Sequence, residues 1–214
     1  MSTDGARPEA AVAVFAKAPV PGAVKTRLAG VLGPDAAASL HAGLVRHALS
    51  TARHARIGPV TLWCQPDASH SFFERCAAEF AVRLEAQKGA DLGERMRVAF
   101  ERAWAEGGAL VVIGADCPAL TARHLHSAAA ALRDHDAVLV PAEDGGYVLV
   151  GLARPVKGIF EEIAWGGAAV MAQTRERLAR AGARWMELAP LWDVDRPEDY
   201  ARLQREGLLD EVLS

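Results

Sequence analysis

The 214-residue sequence predicts an α/β fold, a three-layer α/β/α sandwich built on a mostly parallel, Rossmann-like sheet. Three observations lead there. Short apolar runs recur along the chain. Longer stretches with helical spacing of apolar residues separate most of them. The runs themselves are continuously apolar rather than alternating, as strands covered on both faces are. With 51% hydrophobic residues the chain can bury a sizeable core. No repeat, low-complexity segment or Ser/Pro-rich linker divides it, so residues 1–214 are expected to form one domain.

The elements follow in order. "AVAVFA" (11–16) reads as a buried strand. "GPDAAASLHAGLVRHALSTARHA" reads as a long helix, with Leu40, Leu44, His47 and Ala48 near helical spacing. "PVTLWCQ" is the next strand. "SHSFFERCAAEF" is helical, with Ser69 or Ser71 as its expected cap. "DLGERMRVAFERAWAEG" is a helix opened by Asp91 and closed at Gly107. "ALVVIGA" (109–115) is a third clear strand, and "TARHLHSAAAALRDH" a helix capped by Thr121. "DAVLVPA" and "GYVLVGL" are strands separated by a turn. A helical "GGAAVMAQTRERLARAG", a short "RWMEL" and a helical "RPEDYARLQREG" complete the order.

Bulk properties exclude several classes. A net charge of −3 provides no global field for nucleic acid or a membrane surface, so any polyanion must be bound locally. Cys64, Cys76 and Cys117 are odd in number and widely spaced, which argues against a disulfide framework or a zinc site and for reduced thiols in a cytoplasmic protein. "AAVAVFA" is too short for a signal or spanning helix, and no basic region precedes it. The seven histidines read as surface or half-buried helix residues without metal spacing.

In doubly covered parallel sheets ligands bind at the carboxyl ends of strands, which directs attention to the residues just after each run. After the first comes "KAPVPGAVKTR". It is not a P-loop, because Val24 stands where that pattern has glycine. Pro19, Pro21 and Gly22 make a stiff turn with Lys17, Lys25 and Arg27 around it, suited to a small anion or to phosphates; the alternative is a solvated loop with ordinary surface cations. After the third strand Asp116 could hold a divalent ion against a bound phosphate, or act as a turn residue. Cys117 beside it reads as a packing residue. In "PAEDGGYVLVGL", Glu143 and Asp144 precede glycines that suit a hairpin or a close backbone approach to a ligand. In "LWDVDRPEDY", Asp193 and Asp195 alternate and so share one side of an extended segment. Converging carboxylates repel unless a cation neutralises them, and with a phosphate loop opposite Mg²⁺ is the economical choice. Gln87, Gly89, Asp91 and Arg95 could touch a base or ribose, or simply form a loop and a helix start, and Trp165 could stack on a ligand or simply pack.

Together "FAKAPVPGAVKTRLA", "DLGERM", "GADCPAL", "PAEDGGYVLVGL" and "DVDRPEDY" resemble, in order and over nearly the whole chain, the nucleotide-diphospho-sugar transferase superfamily with its GT-A fold. Most closely they resemble the bacterial family DUF2064, glycosyltransferase-like proteins some of which are assigned to arsenosugar biosynthesis. That family is related to the guanylyltransferases of coenzyme F420 synthesis and the nucleotidyltransferases of molybdenum cofactor. The resemblance implies that Lys17, Lys25 and Arg27 hold nucleotide phosphates and that Asp116 and Asp195, with Asp193 beside them, hold Mg²⁺ or Mn²⁺. It places Asp144 toward the acceptor.

Two reactions fit such a site. In nucleotidyl transfer an acceptor phosphate attacks the α-phosphorus of an NTP, and Lys25 and Arg27 stabilise the departing pyrophosphate. In glycosyl transfer a nucleotide diphosphate leaves an NDP-sugar, and Asp144 could activate the acceptor hydroxyl. A non-catalytic nucleotide-binding module is the third reading. The expected partners are a nucleotide and a small-molecule acceptor, with a homodimer left open.

Overall fold

The computed structural model describes residues 10–213; the expectation about the segment before the first strand lies outside them. Fifteen elements follow one another: β1 (Ala11–Lys17), α1 (Ala29–Leu32), α2 (Pro34–Ala55), β2 (Val60–Gln65), α3 (Ser71–Phe80), β3 (Arg83–Ala86), α4 (Leu92–Ala105), β4 (Leu110–Gly114), α5 (Ala122–Ala131), β5 (Ala137–Pro141), β6 (Tyr147–Leu152), α6 (Val170–Arg180), β7 (Trp185–Glu187), α7 (Pro197–Arg205) and α8 (Leu209–Leu213). The seven strands form one sheet in the order β3-β2-β1-β4-β6-β5-β7. β6 runs antiparallel to both β4 and β5, and the remaining pairings are parallel.

The period of two along each strand assigns side chains to opposite layers. From β1, Val12, Val14 and Ala16 enter one core while Ala13 and Phe15 enter the other. β4 divides likewise, with Val111 and Ile113 on the first side and Leu110 and Val112 on the second. The first core is closed by α2, α3 and α5 through Leu49, Phe73 and Leu125; the second by α4 and α6 through Phe100 and Leu178. This is the expected three-layer sandwich. A third cluster, with Leu28, Leu44, Trp192 and Leu203, seats α7 and the segment leading into it against α2. All three cysteines are buried and free, and burial pushes the Cys117 thiol up to about 12, consistent with a packing residue. Among the described residues no helix is long and apolar enough to cross a membrane.

Helix ends are set by local chemistry. Asp91 caps α4, its carboxylate accepting from the Glu94 amide at 2.9 Å. α2 starts with Pro34 in the first turn, where its missing N–H costs nothing. α3 departs from expectation: its cap is His70, whose Nδ1 accepts from the Phe72 amide at 3.2 Å. Ser69 is committed to the Asp67 carboxylate, through its amide at 2.8 Å and its hydroxyl at 2.6 Å. α1, β3 and α8 have no counterpart among the elements read from the sequence. β3 is a four-residue edge strand with no apolar run to announce it, and α8 is a single short turn of helix packed on α2.

Candidate active site

The carboxyl ends of β1 and β4 lie side by side, because these strands pair in parallel register from Ala11–Leu110 to Phe15–Gly114. Above them opens a cleft of about 620 Å³, a size suited to a nucleotide. Its walls come from five stretches of chain (the end of β1 and the loop after it, the Gln87–Arg95 region, the end of β4, Trp165–Gly166, and Asp195) together with His41 of α2 and Gln65 at the end of β2. Lys17, Lys25, Arg27, Gln87, Arg95, Asp116 and Asp195 line it. Pro21, Gly22, Asp91, Asp144 and Asp193 stand outside that lining. Gly22 turns the loop with φ +78°, and Asp91 is used as a helix cap.

Lys25 is the pivot of this site. Its backbone is left-handed, φ +48°, a conformation that costs a non-glycine residue about 1 kcal/mol or more. Its ammonium lies 2.6 Å from Asp116 Oδ1 and donates to the Val194 carbonyl at 2.6 Å, and its side chain is only 3% exposed. Val194 in turn donates its amide to the Asp116 carbonyl at 2.8 Å. One lysine therefore joins the loop after β1, the end of β4 and the 193–195 segment. Asp193 and Asp195 are carried on either side of the buried Val194. Arg27 is paired with Asp195 through Nη1 and Oδ2. Both proposed metal carboxylates in the cleft thus already face a proposed phosphate cation.

The electrostatics follow from this crowding. Burial pushes the Asp116 carboxyl up, but the Lys25 ammonium and the His41 ring more than reverse it, leaving it far below the usual carboxylate range. Asp193 goes the other way: burial and the neighbouring Asp144 and Asp116 carboxylates raise it to about 6, against partial relief from Lys25. Asp193 therefore lies in the field of both Asp144 and Asp116, although of the three only Asp116 faces the cleft.

His41 lines the cleft and corrects the expectation that the helical histidines are surface or half-buried. It is 95% buried, since only 5% of its surface is exposed. Its Nε2 donates to the Lys17 carbonyl at 3.0 Å, and its Nδ1 lies 3.7 Å from Asp116 Oδ1. The available signal was its position on α2 between Ala37 and Ala38 on one side and Leu44 and Val45 on the other, which are all core-facing. Gln87 donates its amide to the Trp63 carbonyl at 2.8 Å and the Ala16 carbonyl at 3.3 Å; both are acceptors, so its own oxygen remains for a ligand. Arg95 is steered by a bond from Nε to the Gly89 carbonyl at 3.1 Å. Trp165 packs so tightly on α4 that a Cβ on Gly93 would lie 2.8 Å from its ring, and it also lines the cleft.

The glycines after Asp144 correct one expectation. Gly145 does admit a close backbone approach, but the backbone is the chain's own: a Cβ there would lie 2.2 Å from the Ala168 carbonyl oxygen. The Met171 amide also bonds the Gly145 carbonyl at 2.9 Å. Asp144 itself closes the hairpin, accepting from the Gly146 amide at 2.9 Å.

Among the described residues no three carboxylate, histidine or cysteine side chains are grouped to hold a metal by themselves. The donors nonetheless fit a hard divalent ion. Asp116 and Asp195 offer carboxylate oxygens at a phosphate-sized cleft, and Mg²⁺ is commonly held by one or two carboxylates with substrate phosphates completing its shell.

The same architecture recurs in solved structures. A protein of Desulfovibrio desulfuricans, described as a nucleotide-diphospho-sugar transferase, superposes with a TM-score of 0.82 at 30% identity, covering 96% of this chain and 99% of that one. Rv0371c of Mycobacterium tuberculosis, solved in complex with manganese, shares the fold at 20% identity with a TM-score of 0.56 over 92% of this chain and 98% of its own. Fold and cleft define a nucleotide-dependent transferase of the nucleotidyl- and nucleotide-sugar-transferase class. The model of the family described as "Uncharacterized protein conserved in bacteria (DUF2064)" matches residues 48–167, and the chain belongs to that family. A curated relative from Sphaerobacter thermophilus, named phosphoenolpyruvate guanylyltransferase, is 30% identical over 182 residues, spanning 84% of this chain and 86% of the relative.

Proposed function

We propose that the chain is a metal-dependent nucleotidyltransferase that moves a nucleoside monophosphate, GMP foremost, from an NTP to a small phosphorylated acid. The observation that carries this reading is the pairing of Lys25 with Asp116 and Arg27 with Asp195 in one cleft. A triphosphate entering there meets cations for its phosphates and carboxylates for the ion it brings. Guanine and a phosphorylated three-carbon acid are suggested by the name of the Sphaerobacter relative.

In the reaction an acceptor phosphate oxygen attacks the α-phosphorus, the α–β anhydride bond breaks, and pyrophosphate leaves. Arg27 and Lys17, both exposed, would hold the β- and γ-phosphates and stabilise the charge that develops on them. Lys25, held at the cleft floor, would fix Asp116 and the position of the departing group. Asp116 and Asp195, with Asp193 behind them, would hold Mg²⁺ or Mn²⁺, which when bound neutralises phosphate charge. Gln87 and Arg95 would face the base or ribose, on a surface shaped by the Asp91 cap, while Pro21 and Gly22 shape the phosphate loop. Asp144 would face the acceptor.

Glycosyl transfer from an NDP-sugar is the second reading, favoured by the description of the Desulfovibrio structure. A thermal-shift panel of NTPs and NDP-sugars with Mg²⁺, Mn²⁺ or EDTA separates the two, since a ligand that binds only the native state raises its apparent stability. Metal-dependent stabilisation by GTP, with pyrophosphate released on adding phosphoenolpyruvate, is the expected result. Stabilisation by an NDP-sugar alone would transfer the assignment to glycosyl transfer, and silence from both would favour a binding module.

A further inference from the structure

The fold holds two carboxylate-bearing segments together. Asp144 sits at the tip of the β5–β6 hairpin, and Asp193 lies between Trp192 and Val194, whose amide bonds the Asp116 carbonyl at 2.8 Å. Backbone pairing does part of the work: the Glu143 amide bonds the Leu191 carbonyl at 3.0 Å, and Ala142 bridges Leu191. The rest falls to a side chain from α7. The Arg202 guanidinium lies over the buried Trp192 ring, 4.5 Å from its centroid, and Nη1 donates to Glu143 Oε2 at 2.9 Å. Nε donates to Glu206 at 2.8 Å, which fixes the plane of the fork. Glu143 and Trp192 are the immediate sequence neighbours of Asp144 and Asp193. A planar cation that stacks and bonds at once is suited to this, and a point charge is less so.

We infer that Arg202 is a positioning residue of the active site: by clamping Glu143 to Trp192 it keeps the Asp144 turn against the segment that carries Asp193 and is bonded to Asp116, where these carboxylates strengthen the hold on a divalent cation. Arg202 touches neither carboxylate and acts through its neighbours. The inference rests on the proposed metal-dependent nucleotide site.

The test measures Mn²⁺ binding to the protein with GTP, by the loss of the free-ion signal in electron paramagnetic resonance beyond that of Mn²⁺ with GTP alone, alongside the thermal midpoint in EDTA. Arg202→Ala is expected to weaken Mn²⁺ binding about tenfold, and Glu143→Gln to weaken it in the same direction. Arg202→Lys, which keeps the charge but not the planar fork, should recover only part of the loss. A purely structural role would lower the midpoint of Arg202→Ala and leave Mn²⁺ affinity unchanged, and that result overturns the inference. Equal Mn²⁺ loss in Arg202→Lys and Arg202→Ala also overturns it. Should Arg202→Ala fail to fold, unchanged Mn²⁺ affinity in Glu143→Gln decides against the clamp. Wild-type protein that binds no Mn²⁺ with GTP, or whose Mn²⁺ binding survives Asp116→Asn, refutes the site reading itself and the clamp with it.

Discussion

At the scale of single residues, Lys25 has changed meaning. In the sequence it reads as one of three cations around a stiff loop. In the structure its ammonium is buried between Asp116 and the Val194 carbonyl. Lys25→Ala is therefore expected to cost about 2 kcal/mol of stability, between the worth of a surface pair and a fully buried one, in addition to its effect on nucleotide binding. Arg27→Gln is the cleaner probe of phosphate binding. Its guanidinium is 61% exposed, so urea denaturation should show a change under about 0.5 kcal/mol while GTP affinity falls. A loss of stability in Arg27→Gln as large as in Lys25→Ala would contradict this division of labour. Asp193 supplies a pH signature. Its folded value, about 6, lies above its ordinary 3.8, so protonation favours the folded state. The corresponding stability is fully present below pH 3.8 and is lost as pH rises through about 6, amounting to at most about 3 kcal/mol and less after solvent screening. In EDTA, Asp193→Asn should match wild type near pH 4 and exceed it at pH 8. A variant less stable than wild type at pH 8 would show that the Asp193 charge is compensated in the native state.

At the scale of elements, the long apolar runs and strongly periodic helices were legible because burial dictates their pattern. Asp91 and Thr121 were read as caps, and the structure places them there. What was not legible depended on partners distant in sequence. That β6 inserts antiparallel between β4 and β5 cannot be read from "YVLVGL", which would serve either direction. β3 is recognisable only as an edge paired to β2. His70 caps α3 because Asp67 had already claimed Ser69. The hairpin after β5 was visible as Asp-Gly-Gly, but its tertiary role was not. Gly145 has φ +94° and lies against the Ala168 backbone, whereas Gly166 has φ +81° and open space around it. Gly145→Ala should thus cost at least about 2 kcal/mol, from strain and clash together, and Gly166→Ala about 1 kcal/mol from strain alone. Equal costs by urea denaturation would mean that the Ala168 contact yields easily.

At the scale of the whole molecule, the cleft exists because the topology gathers segments that no local pattern connects. Lys25 and Val194, whose bond closes the floor, are separated by 169 positions. The individual residues were legible as strand-end chemistry; that cations and carboxylates would neutralise one another was not, since each pairing spans the fold. This geometry makes a prediction about how the molecule answers its ligand. A nucleotide bound in the cleft would touch five separate stretches, around residues 15–27, 87–95, 114–116, 165–166 and 195, besides His41 and Gln65. At a concentration one hundred times its dissociation constant it should add about 2.7 kcal/mol of apparent stability, a rise of roughly 5–10 °C for a domain of this size. Hydrogen exchange should slow in those five stretches together. The second, apolar pocket of about 310 Å³ beside Trp104 and Phe160 should keep its exchange rates except through the global gain in stability. The stretches are expected to respond as one unit, because Lys25 couples the first to the third and to the segment carrying Asp195. Protection confined to the loop after β1 would show a phosphate perch rather than a shared site. Protection centred on Trp104 would put the nucleotide in the wrong cleft altogether.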